Sequence, residues 1–257
     1  MHTARPTARG PRAAVLALAV LAVGVGACSA DPGTPETAAP PAATATSPVV
    51  TSDGSAAPPT RQLDHALDDD LYDAAVADDT ALVRDLIARG ADLETRGDNG
   101  RTPLVAATKN KASEAAVALI EAGADVNAKD DLQDSAYLYA GAEGLDQILA
   151  ATLRHGADLR SVNRYGGTAL IPASEHAHVS TVRMLIAAGV DVNHVNTPRW
   201  TALQEAIVYG DGSQPYQETV TALLAAGADP QIRDADGRTA LQNAERLDQD
   251  AIVALLR

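Results

Sequence analysis

"LIEAGADVN", Leu119 to Asn127, reads as the last turn of a helix, a glycine that reverses the chain, and the start of an extended segment. Nearly the same phrase ends at Glu94 ("LIARGADLE"), Arg160 ("LRHGADLR"), Asn193 ("LIAAGVDVN") and Gln231 ("LLAAGADPQ"). Its glycines, Gly90, Gly123, Gly156 and Gly189, follow one another at 33 residues, and Gly227 comes after 38. A second marker keeps step: Thr102, Ser135, Thr168 and Thr201 are 33 apart, and Thr239 follows after 38. Both intervals lengthen in the same unit. Five residues are therefore inserted between Thr201 and Gly227, placed here within "GDGSQPY", Gly210 to Tyr216.

Each unit has the pattern of a helical hairpin. "TPLVAA", Thr102 to Ala107, offers a capping hydroxyl and then a proline at the first helical position, where a missing N–H is harmless. Ala106 and Ala107 let neighbouring helices approach closely. The second helix carries apolar residues at i, i+3 and i+4: Val83, Leu86 and Ile87; Val182, Leu185 and Ile186; Val220, Leu223 and Leu224; Ile252, Leu255 and Leu256. Each trio is expected to form one buried stripe. The glycine that follows suits a left-handed C-terminal cap, and "ADVN" leads into an extended turn. Composition agrees. The chain of 257 residues is 46% hydrophobic with no Phe and one Trp, so its apolar content is mostly small aliphatics, which favour close-packed helices over a β-sandwich.

A 33-residue period with "TPL…AA" and "GAD.N" resembles the ankyrin repeat, whose pattern is T-P-L-H-x-A. The resemblance covers residues 63–257 as about six units and implies an all-α solenoid of helix-turn-helix units joined by extended turns, capped at both ends. Some positions depart from that pattern. Val105, Leu138, Ile171, Gln204 and Gln242 stand where the family has its histidine, so the usual hydrogen bond of that residue is expected to be absent. In the first unit Asp69 replaces the capping Thr, and the last unit stops at Arg257 before its closing glycine. The third unit, "DSAYLYAGAEG", diverges most, and Pro172 is expected in the first turn of its helix. The stretch from "GTALIPASEHAHVS" through "WTALQEAIVYGDG" is also similar to exported bacterial ankyrin proteins, insertion included.

The N-terminal region has a different character. Arg5, Arg9 and Arg12 precede an apolar run, Ala13 to Val23, which is too short to span a bilayer and reads as an export signal over residues 1–27. "VGAC", Val25 to Cys28, resembles the lipobox of bacterial lipoproteins, which implies lipid attachment at Cys28 and anchoring to the outer face of the cell membrane. Cys28 is the chain's one cysteine, so no internal disulfide can form. Residues 28–62, rich in Pro, Ala, Thr and Ser, cannot bury enough apolar surface to fold and read as a disordered tether.

Catalytic chemistry finds little support. The best candidate is "SEHAHVS", with Glu175, His176 and His178, but on a helix positions i and i+2 point about 200° apart and cannot easily share a metal. "DADG", Asp234 to Gly237, opens like a calcium loop without the glutamate that loop requires. Asp68 to Asp70 are acidic residues expected at a helix start. No nucleophile elbow or phosphate loop is present. The expectation is a protein that is not an enzyme and uses no cofactor, metal or small-molecule substrate. An envelope hydrolase, a metal-dependent enzyme and a purely structural spacer are the alternatives.

Charge bears on the partner. Removing residues 1–27 takes three of the 20 basic residues, leaving 17 against 34 acidic ones, a net of −17. Nucleic acid and anionic lipid are poor ligands for such a surface, so membrane contact is expected through the lipid anchor only. A neutral or basic protein fits better, aided by long-range attraction. The resemblance implies binding on a concave face built from turn tips and first helices. Carried over by position, the tips are Arg96, Asp131, Arg164, Tyr165, Arg199, Trp200 and Arg233, and the first helices add Tyr139 and Tyr209. Trp, Tyr and Arg are the residues most often found as binding hot spots.

Overall fold

A computed structural model of the protein describes residues 65–257. The expected export signal, Cys28 and the linker through residue 62 lie outside the described residues. Twelve α-helices follow one another, and no strand occurs among the described residues. They pair into six hairpins: α1 (His65–Val76) with α2 (Thr80–Ala88), α3 (Pro103–Lys109) with α4 (Ser113–Glu121), α5 (Ala136–Ala142) with α6 (Asp146–Arg154), α7 (Leu170–Glu175) with α8 (Val179–Ala188), α9 (Ala202–Val208) with α10 (Gln214–Ala225), and α11 (Ala240–Arg246) with α12 (Asp250–Leu255). First helices pack on first helices from α1 to α11, and second helices on second helices from α2 to α12. The all-α solenoid expected from the repeats is the architecture observed.

The repeated phrase closes each hairpin in the same way. After every second helix but the last, a glycine with φ between +84 and +97° turns the chain. The N–H of the next residue then donates back to the carbonyl five residues earlier: Ala91 to Leu86, Ala124 to Leu119, Ala157 to Thr152, Val190 to Leu185 and Ala228 to Leu223. A Cβ built on Gly123 would meet nothing within 4 Å, so the backbone angle rather than space demands glycine there. The aspartate that follows folds over its own turn. In all five units, Asp92, Asp125, Asp158, Asp191 and Asp229, Oδ1 accepts from the N–H two residues on.

The last residue of the phrase has a use that its local sequence does not show. Asn127 donates from Nδ2 to the carbonyl of Gly156 and accepts from the N–H of Asp158, and Asn193 does the same with Gly227 and Asp229. Each asparagine thus pins one unit to the next. Arg160 stands at the same position and makes no such bridge, and there a cavity of about 560 Å³ opens between Arg160, Thr168, Asp191 and His194.

First helices start on their caps: Thr102, Ser135, Thr201 and Thr239 accept the N–H of the third helical residue. In α7 the Thr168 hydroxyl is buried without a partner, and Pro172 occupies the first turn, where it is tolerated. The apolar stripes are buried at Val83, Leu86, Val182, Leu185, Val220, Leu223 and Ile252. Leu255 departs from the expectation and is exposed: counted from Thr239 it stands at the register of Asp85, Met184 and Ala222, beside the buried stripe, which Val253 and Leu256 occupy in this unit. Asp69 departs too. The first helix begins at His65, so Asp69 lies inside it rather than at its cap, and the neighbouring Asp68 accepts the N–H of Asp92.

The insertion divides between loop and helix. Five residues, Tyr209 to Ser213, separate α9 from α10, against three in the four preceding hairpin turns, and α10 has 12 residues against nine in α4 and α6. The added N-terminal turn places Tyr216 so that its hydroxyl donates to the carbonyl of Glu175 at the end of α7, 3.0 Å away. Gln249 fastens the loop from the other side, donating to the carbonyls of Ile207 and Gly210.

Tyr137 holds the register that other units give to Leu104, Leu170 and Leu203. It is fully buried and its hydroxyl has no hydrogen-bond partner. Leaving such a group unsatisfied costs about 1–3 kcal/mol. Tyr137→Phe is therefore expected to raise stability by about 1 kcal/mol, read as a shift of the urea midpoint. A loss of stability instead would mean that the hydroxyl is satisfied.

Candidate functional site

The nine positions expected on the binding face separate into three groups. Arg96 and Arg233 hold the backbone: Arg96 donates to the carbonyls of Gly100 and Lys129, and Arg233 donates to that of Gly237. Asp131 belongs with them through its N–H, which donates to the carbonyl of Asn99. Arg199 is exposed, at a turn position with φ +70°. All four stand in turns, and the arginines of the two outer turns are already engaged with backbone carbonyls.

Tyr139 forms part of a closed ionic cluster. The Lys109 ammonium lies 2.7 Å from Asp130, 2.8 Å from Asp134 and 5.1 Å from the centre of the Tyr139 ring. Arg101 and Arg164 reach the same two carboxylates at 3.7 and 3.6 Å. Burial works against the Asp130 charge, but the Lys109 ammonium and the N–H groups of Asp134 and Leu132 outweigh it and hold its carboxyl below the usual range. The cluster, three cations on two carboxylates, links the second and third units.

The remaining residues, Tyr165, Trp200 and Tyr209, come together. They line a cavity of about 380 Å³ between the turns that begin at Asn163 and Asn196 and the helices α7 and α9. Trp200 and Tyr209 meet edge to face with ring centres 5.2 Å apart. Arg164 stacks its guanidinium 4.9 Å from the Tyr165 ring. Both turns are built on an asparagine: Asn163 Oδ1 accepts the N–H groups of Tyr165 and Gly167, and Asn196 Oδ1 accepts that of Trp200. These bonds fix where the aromatic rings stand. Ile171 and Pro172 complete the apolar lining.

Two carboxylates, Glu175 and Glu205, also line this cavity. Glu205 is only 5% exposed, with Oε1 accepting from Asn196 Nδ2 at 2.9 Å. Burial, reinforced by the charge of Glu175, pushes its carboxyl up to about 7, although the Asn196 bond opposes the shift. Burial and the same two carboxylates push the Tyr209 hydroxyl up as well. Glu175 is also the carboxylate that the sequence places beside His176 and His178. The two histidine rings are 5.7 Å apart and tilted, and His178 packs beside Gly144. Among the described residues no group of three or more His, Cys, Asp or Glu is arranged to hold a metal ion.

At Gln204, one of the positions without the family histidine, the side chain makes bonds of its own: Nε2 donates to the carbonyls of Ile232 and Arg238 in the next turn. Its Oε1 accepts from Asn243, so the fifth and sixth units are tied through one amide side chain.

Comparison with known proteins follows the same pattern. Residues 137–234 match the family model described as ankyrin repeats in three copies, and residues 99–131 match that of a single ankyrin repeat. An ankyrin repeat domain from Acinetobacter baumannii AYE is 55% identical, with a TM-score of 0.71 over 72% of this chain and 95% of that one. The ankyrin repeat protein EF0377 is 40% identical, with a TM-score of 0.71 over 74% of this chain and 96% of its own. The putative ankyrin repeat protein YahD of Escherichia coli K12 is 40% identical over 83 residues, and the match spans 41% of its length. With six stacked hairpins, the shared turn chemistry and these likenesses together, the chain belongs to the ankyrin-repeat family.

Proposed function

We propose that the protein binds another protein non-covalently, through the turn tips and first helices of its third to fifth units. The observation that carries this reading is the aromatic cavity of Tyr165, Trp200 and Tyr209. It gathers three rings, including the chain's one Trp, in a protein whose aromatic content is 3%. Ankyrin repeats as a class serve protein interaction, which supports a non-catalytic role. In this reading the domain is lipid-anchored at Cys28 outside the cytoplasm and carried on the linker, where it acts on an exported enzyme as inhibitor, immunity protein or chaperone. The net charge of −17 left after residues 1–27 are removed favours a neutral or basic partner.

In-cell crosslinking of the anchored protein, run beside an Arg164→Ala/Trp200→Ala variant, tests the binding face. One dominant partner, lost in the variant, is the expected result. No partner, or the same partners surviving the substitution, would remove the assignment of that face. Cys28→Ala is expected to move the protein from the membrane to the soluble fraction. Unchanged membrane association would refute the lipid anchor.

A further inference from the structure

The units of this protein can be superimposed by counting, and two 33-residue periods separate the closed ionic cluster from the aromatic cavity. Glu175 stands at the register of Lys109, Asn196 at that of Asp130, Trp200 at that of Asp134, and Glu205 at that of Tyr139. In the earlier pair of units a cation of the chain itself fills the place between the turn and the first helices. Its ammonium sits between two carboxylates and beside an aromatic ring. In the later pair the lysine has become a glutamate. The two carboxylates now face a cavity of about 380 Å³, and neither has an ion pair among the described residues.

We propose that this cavity receives a lysine or arginine side chain of the partner protein, with Glu205 and Glu175 as its counter-ions and Trp200, Tyr209 and Tyr165 as its walls. The inference rests on the partner-binding reading and names the chemistry that the site selects.

Three further observations support it. Glu205 is 5% exposed and uses one oxygen on Asn196, while its other oxygen accepts no hydrogen bond among the described residues. A buried carboxylate with a free acceptor beside another carboxylate is a costly arrangement for a chain on its own, and a cation relieves it. Aromatic faces attract organic cations through the ring quadrupole, most strongly when both are shielded from water. The chain already shows this affinity at the rim, where the Arg164 guanidinium stacks on Tyr165 and its charge is answered by Asp134 at 3.6 Å. A hydrated metal ion fits less well, because hard cations seek six or more oxygen ligands and the walls here present rings, Ile171 and Pro172. Another groove, about 440 Å³ on the second helices, contains Arg183 and Glu218 already paired with each other at 3.1 Å.

Trp200 is the chain's one tryptophan, so its emission reports from the wall of the cavity. The full-length protein would be titrated with the amides of Nα-acetyl-lysine and Nα-acetyl-arginine into the tens of millimolar, with Nα-acetyl-norleucine amide as the uncharged counterpart. A saturable change with at least one cation and none with norleucine is expected, weakened at least tenfold by Glu205→Gln and by Glu175→Gln. Glutamine keeps the shape at each site, and circular dichroism of both variants shows whether they remain folded. The proposal is overturned by no saturation with either cation, by an equal response to norleucine, or by full binding in both folded variants. The two readings fail differently. A partner captured by the parent, lost with Trp200→Ala and retained at unchanged affinity by Glu205→Gln would keep the binding face and remove the cation.

Discussion

Replacing Glu205 with glutamine is expected to stabilise the protein at pH 8 by up to about 3 kcal/mol, with the advantage vanishing below about pH 4.5. The folded carboxyl titrates at about 7, against 4.5 for an unperturbed glutamate. Between those values the folded chain holds a proton that the unfolded chain has released, so the parent loses stability as pH rises through that window. Above pH 7 both states are ionised and the full penalty of a buried charge beside Glu175 remains. Glutamine avoids this penalty and still accepts from Asn196. His178 acts in the opposite direction: burial and the neighbouring His176 hold its pKa below the usual 6.5, so its contribution grows as pH rises toward that value. Subtracting the variant from the parent, with urea unfolding at pH 5 and pH 8, isolates Glu205. A difference that does not change with pH would show that water in the cavity solvates the carboxylate.

Leu203→Ala is expected to cost about 2–5 kcal/mol, while Leu241→Ala, at the same register one unit later, should cost roughly half as much. Leu203 is 1% exposed in α9, which packs between α7 and α11. Leu241 is half-buried in α11, the last first helix, with α9 on one side only. Truncating Leu203 leaves a cavity that two neighbours must close, whereas Leu241 loses contacts partly shared with water. In a stack where stability sums over neighbouring interfaces, central and terminal positions must differ in this way. Urea midpoints of the two variants measure the contrast, and equal losses would contradict the nearest-neighbour account.

The repeat and its periodic chemistry are legible in the amino-acid sequence alone. Helix caps, the left-handed glycine and the Asx turn each act within a few residues, so Thr102, Gly123 and Asp125 announce their roles wherever the phrase recurs. Even the five-residue insertion was legible, because two markers shifted together. Contacts between units were less visible. Gln204 stands in sequence only as a missing histidine, although its amide ties two turns together, and Asn127 stands only as the end of a turn, although it clamps the next unit. Tyr165 and Trp200 are legible from their tip positions and Tyr209 from its first helix, while Glu205 stands at a register that elsewhere holds Tyr139, Pro172 and Asn243 and so carries no periodic signal. Which of these positions meet in one cavity depends on the stacking of separate units. Asn163 and Tyr209 belong to different units, and their meeting depends on how one hairpin stacks on the next, on Tyr216 bracing the end of α7, and on a cavity left where an earlier unit has a lysine. Local hydrogen bonds repeat with the period of the sequence and can be read from it. A cavity is what remains after packing, and it emerges only when side chains from separate units occupy the same space.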